Sequence, residues 1–252
     1  MKKILIFLLF IVQGVIAQSA DELFVKANDQ YKQELYNEAI TTYNEIETLG
    51  LVSSELYYNL GNCYYKLNKV APSIYNYEKA LLIDPLNEDA QNNLVFAKRL
   101  TIDNIEELPK SLFQKIDESF VKKLSYNEWS VISVAFSIVG VLLFLLFYFS
   151  YTPTKKRLFF VTSILSFLLL ITSSIFAIKE YSFHQNNISA IIFAQEVEIK
   201  NAPTLNSEEI FNLHEGTKVT ILDTVDNWKK IRISDGKIGW ILTEKIKLLT
   251  IF

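Results

Sequence analysis

The stretch that decides the architecture is SVISVAFSIVGVLLFLLFYFS at Ser130–Ser150. After Tyr-Thr-Pro-Thr-Lys-Lys-Arg at 151–157 comes LFFVTSILSFLLLITSSIFAI at Leu158–Ile178. Each run has about the twenty apolar residues a helix needs to cross a hydrocarbon core, and neither contains a charged side chain. So short a connection returns the second span antiparallel to the first. The segments before Ser130 and after Ile178 are therefore expected on the same side of one membrane. Ser133, Ser137 and Gly140 give the first span a small-residue face, as Thr162, Ser166 and Ser173 give the second, and such faces let helices approach closely. With no charge inside either span, the hairpin reads as an anchor and offers no proton path or ion channel.

The N-terminus indicates the side. Met1-Lys2-Lys3 is a basic start, Ile4–Val12 is apolar, and Val15-Ile16-Ala17 offers small-residue cleavage before Gln18. A signal peptide over 1–17 is expected; an uncleaved N-terminal anchor is the alternative, and both export the segment from Gln18 onward. Lys155-Lys156-Arg157 then falls in the inner loop 151–157, between spans at 129–150 and 158–178, as the positive-inside rule asks. Residues 101–128 lead into the first span and 179–189 form a linker after the second.

Half the chain is hydrophobic, yet 21% is charged, which suits soluble domains joined to a membrane hairpin. A net charge of −3 gives no electrostatic case for nucleic acid. The single cysteine, Cys63, excludes an intrachain disulfide framework and has no His or cation cluster beside it to activate it. His184 and His214 lack a Cys or carboxylate motif at ligand spacing, so no metal or cofactor is expected. Neither a phosphate loop nor Gly-x-Ser-x-Gly occurs, and no enzyme class is indicated.

Setting Tyr31-Lys32-Gln33 over Tyr65-Lys66-Leu67 exposes a self-similarity at 34 residues. Asn28 falls on Asn62, Ala27 on Gly61, Tyr43 on Tyr77, and Ala39 on Ser73. The unit Ser54–Asn87, with Tyr57-x2-Leu60-Gly61-x2-Tyr64, Tyr77, Ala80 and Pro85, resembles the tetratricopeptide repeat. Two repeats at 20–53 and 54–87 with a capping helix at 88–100 are expected, an all-α solenoid closed by a polar outer face. The first repeat departs from the pattern at Gln30 and at Gly50, which stands where the terminating proline would. The resemblance implies a peptide groove lined by the first helices. On that pattern the groove residues are Phe24, Asn28, Tyr31 and Lys32, then Tyr58, Asn62, Tyr65 and Lys66, and from the cap Asn92, Phe96 and Arg99. The asparagines would hold a peptide backbone and the cations a carboxylate. The alternative is that the asparagines are polar surface and the aromatics pack on one another.

Pro109 opens a segment with Leu112, Phe113, Ile116, Phe120 and Leu124 on one side and Lys115, Glu118, Lys122 and Lys123 elsewhere. This amphipathic helix lies either on the lipid surface or against the repeats. From Ile191 the pattern becomes alternation, as in Val197-Glu198-Ile199-Lys200 and Trp228-Lys229-Lys230-Ile231-Arg232-Ile233, with turns at Glu215-Gly216 and Asp235-Gly236. With Leu213-x2-Gly216 and Asp-Gly-Lys-Ile-Gly-Trp-Ile at 235–241, residues 190–252 resemble a bacterial SH3-like domain, an all-β barrel. Trp228 and Trp240 are expected to pack inside it. Family members bind cell-wall peptides or act as interaction modules.

This order of signal, short repeat array, two-span hairpin and SH3-like barrel resembles the BatE-like proteins of the Bacteroides aerotolerance (Bat) operon. The resemblance implies a scaffold in the bacterial inner membrane with both soluble parts in the periplasm. Its implied partners are membrane or periplasmic proteins, von Willebrand A-domain Bat proteins among them, with peptidoglycan as an alternative ligand for the barrel.

Overall fold

The computed structural model describes residues 20–106, 108–109 and 111–250; the expected signal peptide at 1–17 lies outside them. The chain forms two compact units, one built from the part up to Leu108 together with Ile188 onward, the other from Pro109–Asn187.

Five helices open the first unit: α1 (20–32), α2 (Tyr36–Thr48), α3 (Ser54–Lys66), α4 (Val70–Ile83) and α5 (Glu88–Lys98). The repeat period governs their ends as well as their cores. Ser53 caps α3 by accepting from the Leu56 N–H at 3.1 Å, and Asn87, one period later, caps α5 by accepting from the Ala90 N–H at 2.9 Å. Each satisfies a donor that the first turn of a helix leaves without a partner. The turn between the helices of each repeat recurs too, with Glu34 (φ 63°) and Asn68 (φ 56°) both left-handed. Asparagine tolerates that conformation, whereas glutamate there costs about 1 kcal/mol. In the core, a Cβ on Gly61 would lie 2.6 Å from the Tyr77 ring, so repeat two needs glycine where repeat one has Ala27. Tyr43, Tyr57 and Tyr77 are essentially fully buried, each worth about 2–3 kcal/mol of apolar transfer. Cys63 is buried among them, and burial pushes its thiol up to about 12.

Seven strands complete this unit: β1 (Ser189–Ile192), β2 (Glu196–Lys200), β3 (Glu209–His214), β4 (Lys218–Val225), β5 (Trp228–Arg232), β6 (Ile238–Leu242) and β7 (Ile246–Leu248). They form one antiparallel sheet in the order β3-β2-β6-β5-β4-β1-β7. Ile199 and Leu213 near one edge share a cluster with Ala190, Ile192, Val219, Ile231 and Ile241, so the sheet curls around a single core. The register shift between Ile221 and Asp223 is a bulge that bends β4 in support of that curl. Trp228 is buried, as its place in the alternation predicts. Trp240 differs from expectation. Gly239 and Ile241 point inward, so the period of two places the indole on the outer face, half-buried, with Lys230 Nζ 5.9 Å from the ring.

The repeats and the β-domain share a core. Ala71, Ile74 and Tyr75 of α4 and Leu94 and Ala97 of α5 cluster with Ile191 and Leu249. The Tyr75 hydroxyl donates to the Leu248 carbonyl at 3.2 Å, and its ring meets Phe193 edge-on at 5.7 Å. Glu78 of α4 is buried and receives Lys98 of α5 at 3.1 Å and Lys218 of β4 at 2.6 Å. Burial alone would raise its carboxyl; the two ammonium groups outweigh burial and hold it below the ordinary range. Gly216 sits at the closest approach. Its φ is +85°, and a Cβ there would fall 2.8 Å from Thr101 Cγ2 and 3.0 Å from Ile74 Cδ1. Residues 101–106 and 108, which the sequence reading places in the segment 101–128 leading to the first span, belong here. Ile105 packs on the β-domain core, and the Leu108 N–H donates to the Ser234 carbonyl at 3.3 Å. Asp103 accepts from the His214 N–H at 2.7 Å and the Thr217 hydroxyl at 2.6 Å, and contacts His214 Nδ1 at 2.7 Å.

The second unit comprises α6 (Leu112–Phe120), a 3-10 turn (Val121–Lys123), α7 (Tyr126–Phe149) and α8 (Pro153–Asn186). The 24-residue α7 and the 31 residues Pro153–Phe183 of α8 are each long and apolar enough to cross a membrane. Their small-residue faces meet: Ser133 donates to Ser173 Oγ at 2.8 Å, Ser163 to the Gly140 carbonyl at 3.2 Å, and Ser166 to the Phe136 carbonyl at 2.9 Å. Ser163 takes the place expected of Thr162, whose hydroxyl bonds back to the Leu158 carbonyl at 2.9 Å. Only Ser150–Thr152 separate the two helices. Pro153 opens α8 at a position that suits its missing N–H, so Lys155, Lys156 and Arg157 lie in the first turns of α8 rather than in a loop. The helix also continues through 179–186, a stretch whose sequence reads as linker.

Candidate peptide groove

The β-domain packs on α4 and α5 and leaves the face of α1 and α3 open. There the structure places Tyr31, Asn62, Tyr65, Lys66 and Phe96 around one cleft of about 190 Å³, together with Tyr77 and Asn93. These seven residues come from both repeats and the cap, because the 34-residue period stacks α1, α3 and α5 side by side.

Asn62, Tyr77 and Asn93 form a polar floor, a ladder whose hydrogen bonds the first repeat copies outside the lining of the cleft. In repeat two the Tyr77 hydroxyl donates to Asn62 Oδ1 at 2.6 Å, and Asn93 Nδ2 donates to the same oxygen at 2.8 Å. In repeat one the Tyr43 hydroxyl donates to Asn28 Oδ1 at 2.5 Å, and Asn59 Nδ2 does so at 3.1 Å. Burial raises the Tyr43 and Tyr77 hydroxyls well above their ordinary value, so both remain donors. Each Asn oxygen accepts twice from inside the fold, and among the described residues no acceptor is seen for the carboxamide N–H pair. Above the floor Lys66 is exposed and makes no ion pair among the described residues. The Arg99 guanidinium lies 5.1 Å from the Phe96 ring. Such donors, an unpaired cation and aromatic walls suit a ligand that brings carbonyl or carboxylate oxygens.

Asn28 and Arg99 do not line this cleft, and the other residues expected in the groove stand elsewhere. Phe24 meets Tyr43 edge-on at 5.8 Å and borders a hollow with Leu51 and Leu56. Lys32 pairs with Asp29 at 3.1 Å on the surface. Tyr58 borders a separate acidic hollow with Glu55, Asp84 and Glu88. Asn92 is exposed on α5, and its neighbour Asn93 enters the cleft instead. Sequence reasoning missed Asn59 and Asn93, although both obey the period: they stand 34 positions apart, three residues before Asn62 and Phe96 respectively.

Residues 54–87 match the tetratricopeptide repeat family, and residues 196–247 match the bacterial SH3 domain family. The chain is also similar to the Hsp70-Hsp90 organizing protein of Triticum aestivum, 29% identical over 108 residues, which is 43% of this chain. The match spans 17% of that protein's length.

Proposed function

We propose that the chain is a non-enzymatic, membrane-anchored envelope scaffold whose repeat groove holds a segment of a protein partner. The unpaired Lys66 beside the Asn62 ladder carries this reading, since a peptide carboxylate or carbonyl would complete both. The similarity to a protein named as organizing Hsp70 and Hsp90 supports a role in bringing proteins together. The shared core of repeats and β-domain supports a hairpin that returns to the side it left, because the two parts flank it in sequence. We place that side in the periplasm, at the bacterial inner membrane, on the strength of the signal-like N-terminus. The partners then include the von Willebrand A-domain proteins of a BatE-type complex.

The test is crosslinking of the full-length protein in its native membrane, comparing wild type with Lys66→Glu and Arg99→Glu. Asn62→Ala is unsuitable alone, because it breaks the ladder to Tyr77 and Asn93. Recovery of von Willebrand A-type proteins, lost in the charge variants, supports the groove. Recovery unchanged by both variants excludes the groove as the docking site.

A second reading draws on Trp240, an outward indole in register with Lys200 of β2 and Lys230 of β5. Lys200 is paired with Glu198, which leaves the indole with Lys230 beside it, and a flat aromatic next to a cation suits carboxylate-bearing wall peptides. If peptidoglycan is the ligand, the full-length protein sediments with purified wall material and Trp240→Ala does not.

A further inference from the structure

Helix α6 is well formed yet presents Leu112 and Phe113 bare. Ser111 and Gln114 close its start with reciprocal hydrogen bonds of 3.3 and 2.8 Å, while Leu112 and Phe113 are 77% and 86% exposed. The opposite end is fastened to the hairpin. Asp117 pairs with Lys179 of α8, and Phe120 meets Phe176 edge-on at 6.1 Å and Trp129 at 6.0 Å. The Trp129 indole N–H donates to the Val121 carbonyl at 2.9 Å, and Lys122 Nζ lies 4.1 Å from the Phe183 ring.

These attachments fix the level at which α6 sits. Phe176 is among the last residues of the charge-free run Leu158–Ile178, and Lys179 is the first charge after it. At the same end of the hairpin Val131, Ile175 and Ile178 are 68%, 57% and 66% exposed, the surface that hydrocarbon covers if the hairpin spans a bilayer. The apolar residues of α6 thus continue that surface at the depth where acyl chains give way to headgroups. Tyr126 and Tyr181, whose rings meet edge-on at 5.6 Å at this level, are the amphipathic rings found at such boundaries.

We infer that α6 is an in-plane membrane helix whose Leu112 and Phe113 enter the acyl boundary of the leaflet around the outer end of α7 and α8. In the sequence from 106 to 128 the lysines Lys110, Lys115, Lys122 and Lys123 are balanced by Glu106, Glu107, Glu118 and Glu128, while Asp117 is taken by Lys179. Contact with lipid is therefore by apolar insertion, not by attraction to anionic headgroups.

The test places a nitroxide label on the full-length protein, with Cys63→Ala as background, reconstituted in phosphatidylcholine/phosphatidylglycerol vesicles. Labels at Phe113→Cys and Leu112→Cys are compared with Lys115→Cys and with Leu142→Cys, a lipid-facing position in mid-span. Oxygen dissolves in acyl chains, and a water-soluble nickel chelate does not. The expected result is oxygen favoured over nickel at 112 and 113, as at 142, the order reversed at 115, and no change on raising the salt. Nickel favoured at both 112 and 113 would put α6 in water and overturn the inference. Exclusion of both reagents from both positions would show a protein cover instead, and overturns it equally.

Discussion

The repeat helices have two faces, and they are finished differently. On the α4 side every buried charge has its complement: Glu78 holds Lys98 and Lys218, and Glu47 holds Lys79 at 2.9 Å while accepting from the Tyr57 hydroxyl at 2.8 Å. Lys79 also lies 3.9 Å from the Tyr57 ring. On the groove side, among the described residues, no acceptor is seen for the Asn62 N–H pair and Lys66 lacks an anion. The same residue types, Tyr, Lys and Asn, occur on both. On the function proposed above, stability and recognition are divided between the faces, so substitutions should separate them.

The largest effect is expected at the sealed face. Gly216→Val would force a Cβ-branched residue into a left-handed conformation against Thr101, Ile74 and Val70. The two faults together cost about 3 kcal/mol or more, to be read from the urea midpoint of the detergent-solubilised full-length protein. Glu78→Gln is the next in size. It leaves Lys98 and Lys218 without their anion but partly exposed, and a loss of about 2 kcal/mol is expected. Acid should act at the same place. Glu78 and Asp103 both have carboxyls held below their ordinary values of 4.5 and 3.8. Their contribution is therefore complete above those values and is lost as pH falls through the depressed folded values. Thermal midpoints down a pH series should drop in that window, less steeply in Glu78→Gln than in wild type.

The open face should respond in the other way. Lys66→Glu is expected to change stability by no more than about 0.5 kcal/mol while weakening partner capture at least about tenfold, roughly 1.4 kcal/mol. A stability loss as large as that of Glu78→Gln would erase the contrast between the faces. The smallest effect is a gain. Glu34→Asn copies the turn of repeat two and should stabilise repeat one by about 0.5–1 kcal/mol in the same urea series.

The hairpin and the repeats are legible in sequence because their signals are local: an uncharged run of sufficient length, and a period that carries Tyr43 to Tyr77 and Ser53 to Asn87. The alternation of β5 likewise locates Trp228. Trp240 escapes the same logic because a glycine beside an indole looks like room made for its packing, whereas Gly239 itself takes the inward position. In the groove, the period aligns Asn28 with Asn62 but not the partners that occupy their oxygens, since Asn59 and Asn93 matter only once α3 and α5 are stacked. The junction is not legible at all. Asp103 and His214 are 111 positions apart, Glu78 and Lys218 are 140 apart, and neither pair has a motif. Such contacts depend on how the solenoid and the sheet meet, which no local pattern encodes.

The central claim is that repeats and β-domain fold as one unit with the proposed groove turned away from the junction. Hydrogen exchange on the full-length protein, wild type against Gly216→Val, tests it most directly. Amides of α4, α5 and β1 are expected to lose protection together while α1 and α2 keep theirs. Protection of α4 and α5 unchanged when β1 loosens would show two independent domains and contradict the claim.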